Sequence, residues 1–137
     1  GGNKTVLSGV PTSLPSLVKA YRIQDKARAV GFDWEEAQEV WTKVQEEIQE
    51  VRQALETKDA EDVEGEFGDL LFAVVNAARL YGVNPDNALE RTNRKFISRF
   101  GYIESQAKAQ GRDIKDLTLG EMDALWEEAK HLKHSQN

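Results

Sequence analysis

Two acidic stretches set into helical apolar patterns constrain this chain more than anything else in it. The first, residues 43–50, carries Glu46, Glu47 and Glu50; the second, residues 64–72, carries Glu66 and Asp69. Residues three or four apart share a helix face, so Glu47 points with Glu50 and Glu66 with Asp69. Each pair flanks an apolar stripe: Trp41, Val44, Ile48, Val51 and Leu55 in the first segment, Val63, Phe67, Leu70 and Val74 in the second. Packing stripe on stripe brings four carboxylates to one edge of the core. At an effective dielectric of ~20 and a separation of ~5 Å, each like-charged pair costs roughly 3 kcal/mol. Such a cluster must hold protons, take in water or bind a cation, and the cation is the expectation.

The rest of the chain reads as helices around that pair. A first helix is expected over residues 13–30, with Pro15 in its first turn, an amphipathic face of Leu17, Ala20, Tyr21, Ile23, Gln24 and Ala27, and Gly31 as C-cap. Asp33 followed by Glu36 has the form of a capping box and predicts a second helix from there to about Thr57. Asp59 starts the third, which Gly82 closes. Asn84-Pro85 is an N-cap followed by proline at the first helical position, opening a fourth helix to about Ala109 with Leu89, Thr92, Phe96, Phe100 and Ile103 spaced for burial. A loop at Gly111 leads to Thr118 and Glu121, another capping box, and a last helix through Met122, Leu125, Trp126 and Ala129. No stretch alternates strictly enough for a half-buried strand. The fold class is all-α, a helical bundle in which helices two and three form an α-hairpin. Such a hairpin needs more apolar cover than short outer helices give, which makes homo-oligomerisation plausible.

At 137 residues the chain is one domain by length. We assign residues 1–12 to an expression remnant (Gly1 and Gly2) plus a linker, and residues 13–137 to the domain; the whole reads as a piece of something longer. A formal net charge of −6 argues against nucleic-acid binding, though not against small phosphate ligands. With no cysteine there is no disulfide, thiolate catalysis or cysteine-based zinc site. The histidines are His131 and His134, in the last seven residues, so a histidine metal centre is not expected. No apolar run reaches transmembrane length and no signal peptide is visible, so a cytoplasmic protein with no membrane partner is the default.

A site made of carboxylates alone is a hard-oxygen site, suited to Mg²⁺ or Mn²⁺. Magnesium completes its shell with water and substrate phosphates, which points to phosphoryl chemistry. On their own, Glu46, Glu47 and Glu50 are equally compatible with a solvated helix face. Glu66 and Asp69 are harder to dismiss, because they lie in an apolar segment beside Gly65 and Gly68. A glycine inside a helix costs ~1 kcal/mol relative to alanine, which suggests close backbone approach there, although packing alone would also account for it. Downstream, Lys95 with Arg99 and Trp126 with Lys130 are each four residues apart. The cations could clamp phosphates and the indole could stack on a base; alternatively Trp126 is core and the cations are solvated.

These residues resemble a known family. Glu46-Glu47-x-x-Glu50, fifteen residues, then Glu66-x-x-Asp69 is similar to the paired acidic motif of the MazG nucleotide pyrophosphohydrolases. Gly68 to Phe72, Lys95-Phe96-x-x-Arg99-Phe100, the opening Leu14-Pro15-x-Leu17, Ile23-Gln24-x-Lys26-Ala27 and Val30 to Trp34 resemble segments typical of that family. The likeness spans about Val10 to Lys133 and is greatest to the C-terminal half of two-domain members. It implies a dimeric fold of the all-α NTP pyrophosphatase type and Mg²⁺-dependent hydrolysis of nucleoside triphosphates to monophosphate and pyrophosphate. By the same resemblance Glu47, Glu50, Glu66 and Asp69 are the magnesium ligands. Glu46 joins Glu47 as a catalytic candidate, binding a second ion or orienting the attacking water. Lys43, Lys95, Arg99, Trp126 and Lys130 match positions that contact the triphosphate or the base.

Two other readings compete. One is a pyrophosphatase of narrower substrate, of the dUTP, dCTP or phosphoribosyl-ATP type; the family leans instead towards broad acceptance and nucleotide house-cleaning. The other is a non-catalytic helical dimerisation module, against which the mutual repulsion of four carboxylates argues.

Overall fold

The α-helices of the computed structural model are α1 (Ser16–Ala29), α2 (Glu39–Thr57), α3 (Ala60–Leu80), α4 (Pro85–Ala109) and α5 (Leu119–Gln136), with a short 3₁₀ turn at Ile114–Asp116. The structure describes residues 4–136, with side chains through Leu132. Gly1 and Gly2, read above as an expression remnant, and the side chain of His134 lie outside the described residues. Among the described residues there is no strand, as an all-α chain requires. No described helix is long and apolar enough to cross a membrane.

The chain divides at Ala88/Leu89 into two compact units. In the first, α2 and α3 form the hairpin. Its turn is tight: Lys58 takes the left-handed conformation at φ 60°, and the Asp59 carboxylate then accepts from the backbone N–H groups of Glu61 and Asp62. The start of α2 meets the end of α3, with Val40 and Val44 packed on Ala73 and Ala77 and flanked by Leu70 and Leu80. The two helices are therefore antiparallel. Helix α1 lies against α3, and its buried Gln24 donates from Nε2 to the Phe72 carbonyl at 3.0 Å.

Three sequence expectations change here. The first concerns the start of α2, which begins at Glu39 with Gln38 before it and no side-chain cap, rather than at Asp33. The Asp33 carboxylate is taken instead by Arg79 of α3, with Oδ1 2.7 Å from Nη2. A largely buried, charge-assisted pair of this kind outweighs an N-cap, which contributes about 1 kcal/mol.

The second concerns the stripes. The buried line of α2 is Val40, Val44, Glu47, Val51 and Ala54. It shares Val44 and Val51 with the expected stripe, but Trp41, Ile48 and Leu55 are left exposed, as are Phe67 and Val74 of α3. The helix is rotated so that Val40 and Ala54 are buried in place of Trp41 and Leu55, and Glu47 in place of Ile48. The third concerns Gly65 and Gly68: a Cβ at either would meet nothing within 4 Å, so no close approach within the chain requires them.

The second unit packs Ile103 and Ala107 of α4 on Leu117 and on Leu125 of α5, with Tyr102, Ile114, Met122 and Trp126 against them. Of the α4 positions expected to be buried, Ile103 is, while Leu89, Phe96 and Phe100 stay exposed. Caps set the ends as the sequence indicates. Asn84 Oδ1 accepts from the N–H groups of Asp86 and Asn87. Thr118 and Glu121 form a reciprocal capping box, with Thr118 N–H to Glu121 Oε1 at 3.0 Å and Glu121 N–H to Thr118 Oγ1 at 3.1 Å.

Candidate active site

Because Glu47 falls on the buried line of α2, its carboxylate is carried into the seam with α3 and is 8% exposed. Facing it, Glu66 and Asp69 sit three apart on α3. One carboxylate oxygen from each of Glu47, Glu66 and Asp69 lies within 4.8 Å of the others. A buried carboxylate needs a partner, and Lys43, one turn earlier on α2, places Nζ 2.9 Å from Glu47 Oε1 and 4.0 Å from Glu46 Oε2. The Glu47 hydrogen bond and charge, with lesser help from Glu46 and Asp69, push the Lys43 ammonium above its usual range. Glu66 is pushed up as well, by partial desolvation first and then by the charges of Asp69, Glu50, Asp62 and Glu47. Glu50 stands outside the close trio, on the exposed side of α2, yet its charge reaches Glu66.

The donor set is all carboxylate oxygen, drawn from two helices and carrying more negative charge than Lys43, its close cation among the described residues, offsets. That chemistry fits a hard divalent cation. Beside it opens a cavity of about 630 Å³ within the first unit, and Lys43 and Asp69 line its wall. Its apolar lining includes Ile23, Ala27, Phe32, Trp34, Phe72 and Ala73; Gln24, Asp33, Asn76 and Arg79 add polar groups. The Arg79 side chain, 6% exposed, grips both Asp33 and Asn76. Burial pushes the Asp33 carboxyl up, but its bonds from Arg79 and the Trp34 N–H, with the Arg79 charge, more than offset this and hold it low.

The remaining sequence-derived candidates belong to the second unit. Lys95 is exposed on α4. Arg99 lays its guanidinium 5.3 Å from the centroid of the Trp126 ring, and Phe96 packs 5.4 Å from the same ring. Arg99 Nε is buried without a hydrogen-bond partner among the described residues. Lys130 Nζ is 3.7 Å from Glu127. The structure thus brings Lys43, Glu46, Glu47, Glu66 and Asp69 together in one unit, and Arg99 with Trp126 in the other.

Sequence reasoning missed the polar end of the cavity. Asn76 and Arg79 interrupt an otherwise apolar run in α3, and Gln24 sits on the apolar face of α1. A polar side chain on a face destined for burial was the available signal.

Residues 34–102, which span α2, α3 and most of α4, match the MazG nucleotide pyrophosphohydrolase domain. The chain belongs to the MazG family. It is 41% identical over 117 residues to the nucleoside triphosphate pyrophosphohydrolase/pyrophosphatase MazG of Thermotoga maritima, covering 85% of this chain and 45% of that protein. With the nucleoside triphosphate pyrophosphohydrolase of Escherichia coli K12 it shares 41% identity over 130 residues, covering 92% of this chain and 49% of the relative. A third match, 52% identical over 69 residues, is to the uncharacterized protein YabN of Bacillus subtilis, covering half of this chain and 14% of that one. The chain spans about half the length of the first two relatives. The MazG match includes every carboxylate of the acidic cluster.

Proposed function

We propose that this MazG domain is a cytoplasmic hydrolase of nucleoside triphosphates, cutting NTPs and dNTPs to the monophosphate and pyrophosphate with Mg²⁺, or Mn²⁺, held at Glu47, Glu50, Glu66 and Asp69. The observation that carries this reading is the meeting of carboxylates from α2 and α3 beside Lys43 at the wall of a nucleotide-sized, largely apolar cavity. A divalent ion held there would supply charge to offset the phosphates and would make water easier to deprotonate. The names of the Thermotoga and Escherichia relatives support the substrate class.

The chain's own residues divide the remaining work. Lys43 holds the Glu47 carboxylate through their 2.9 Å contact. Glu46, exposed and next to Lys43, takes the proton of the attacking water as the bond from the α-phosphorus to the bridging oxygen breaks and pyrophosphate leaves. Lys95, Arg99, Trp126 and Lys130 are the substrate contacts of the second unit, their cations offsetting the negative charge that builds on the leaving group. The active form is a homodimer, joined through the exposed apolar faces of α2 and α3.

The test is pyrophosphate release from a panel of NTPs and dNTPs, with Mg²⁺ and with EDTA. Metal-dependent release across several bases is the expected result. No release from folded, Mg²⁺-loaded protein overturns the proposal.

A further inference from the structure

Residues 5–12, part of the stretch assigned to a linker, run along α1 rather than away from it. The Thr12 carbonyl accepts from Lys19 Nζ at 2.6 Å. Further along α1, Lys26 Nζ lies 3.3 Å from the point where a Cβ on Gly9 would stand. Lys19, Ile23 and Lys26 follow at steps of four and three, so they share one face of the helix. The segment therefore crosses that face antiparallel to α1, with Ile23 between its two points of contact. Val10, which sits between Gly9 and Thr12, is 9% exposed and is the segment's apolar seat. Past Gly9 the chain brings Leu7 to the cavity wall, which Ile23 and Ala27 of α1 also line. Leu7 is 44% exposed, so its surface is divided between the cavity and solvent.

The hold on this segment is weak. Across residues 4–12, all of them described, Val10 alone is buried. The segment's own hydrogen bonds are short-range turns: Ser8 N–H and Oγ both donate to the Thr5 carbonyl, and Val10 N–H donates to that of Leu7. These shape the segment without fastening it to α1. The bond that does fasten it, Lys19 to Thr12, is exposed, and water competes for both partners. Few buried apolar contacts and solvated hydrogen bonds mark the parts of a fold that open locally, without global unfolding. The α2/α3 seam is the opposite case, with Val40 fully buried and Ala77 nearly so.

We infer that residues 5–12 are a strap that gates the cavity. Seated, with Val10 buried and Thr12 on Lys19, the strap holds Leu7 at the cavity wall. Released, it withdraws Leu7 and opens the wall along Ile23 and Ala27. Lys43 and Asp69 line the same cavity, so a molecule that enters there on its way to the acidic cluster meets the strap either seated or released. Control of access is thus separate from the chemistry proposed for the carboxylates and from the groups that perform it.

The chain has no cysteine, so single introduced cysteines report opening through their rate of reaction with DTNB. All rates are taken in EDTA without nucleotide, which makes the outcome independent of the hydrolase reading. Val10→Cys is expected to react at least about 100-fold faster than Ala54→Cys or Ala77→Cys, core positions on α2 and α3 that need a larger opening. Lys19→Met removes the tie to Thr12 and should speed the Val10→Cys reaction roughly fivefold. Ile23→Cys reports on the cavity wall. Adding Val10→Asp, which unseats the strap, should speed that reaction about tenfold with helix content unchanged. Where Val10→Asp loses helix content, Lys19→Met takes its place. A Val10→Cys rate no higher than that of the core cysteines overturns the gate and makes residues 5–12 a fixed wall. An Ile23→Cys rate indifferent to the unseated strap overturns it as well, leaving a segment with no hold on the cavity.

Discussion

Glu47 shows how one buried carboxylate can organise a site. Among the described residues its close cation is Lys43, and Glu66 and Asp69 press on it from α3. Removing Asp69 as alanine is expected to lower pyrophosphate release by about 100-fold or more while helix content by circular dichroism stays as it was. Glu66 gives the complementary test. Its carboxyl is raised by partial burial and by neighbouring negative charge. A raised folded-state value means that the ionised form is disfavoured by folding, so stability from this group is present at low pH and lost as pH rises through that value. Glu66→Gln should therefore melt above the wild type at pH 7 in EDTA, the gap closing as pH falls through the raised value to the ordinary 4.5. Added Mg²⁺ should reverse the order, since the variant lacks a ligand; thermal melts with and without the metal check both. Arg79 acts on the fold instead. Arg79→Met strands Asp33 and frees Asn76, at a cost of about 3 kcal/mol measurable by urea unfolding. The acidic residues were legible because helix spacing says which carboxylates can meet. The Asp33–Arg79 pair was not, because it joins positions 46 apart in the chain, and no local pattern encodes such a contact.

Helix starts were readable wherever the capping group had no better partner. Asp59, Asn84 and Thr118 all cap as the sequence indicates, whereas Asp33 is drawn to Arg79 and α2 opens late. At Lys58 the hairpin turn places a non-glycine residue at φ 60°. Lys58→Gly is expected to stabilise by up to about 1 kcal/mol, read from the urea midpoint, because glycine enters that region without steric penalty. Helix α5 offers a pH test. Its first-turn Glu121 is gripped by the Arg112 guanidinium and accepts from the Thr118 N–H, which lowers its carboxyl to about 2. A depressed folded-state value gives stability that is present above the ordinary value near 4.5 and lost as pH falls towards 2. Glu121→Gln should accordingly lower the melting temperature at pH 7, with the difference from wild type shrinking between pH 4.5 and 2.

For the whole molecule, the decisive feature is the apolar surface that the chain's own core does not use. Trp41, Ile48 and Leu55 recur every seven residues along α2, and Phe67 and Val74 do so along α3; all five are exposed. A seven-residue apolar repeat is the pattern of helices packed nearly in line, the pattern that the proposed homodimer would use. Five side chains of this size, each about half exposed, leave on the order of several kcal/mol of apolar burial unrealised. Helical periodicity made these residues visible as a stripe. It could not say that Val40, Val44 and Ala54 would be buried, because the two stripes share Val44 and Val51 and the one buried carries the charged Glu47 where the other carries Ile48. Gly65 and Gly68, with open space around each, leave room for a neighbouring backbone on α3. Light scattering after size exclusion is expected to give about twice the 15.4 kDa chain mass. The double substitution Ile48→Glu with Phe67→Glu puts like charges into the seam and should return the mass to that of one chain, with pyrophosphate release falling in step. A wild-type mass of 15.4 kDa across the micromolar range, with full activity, would leave the exposed stripe without a partner and place the complete active unit in a single chain.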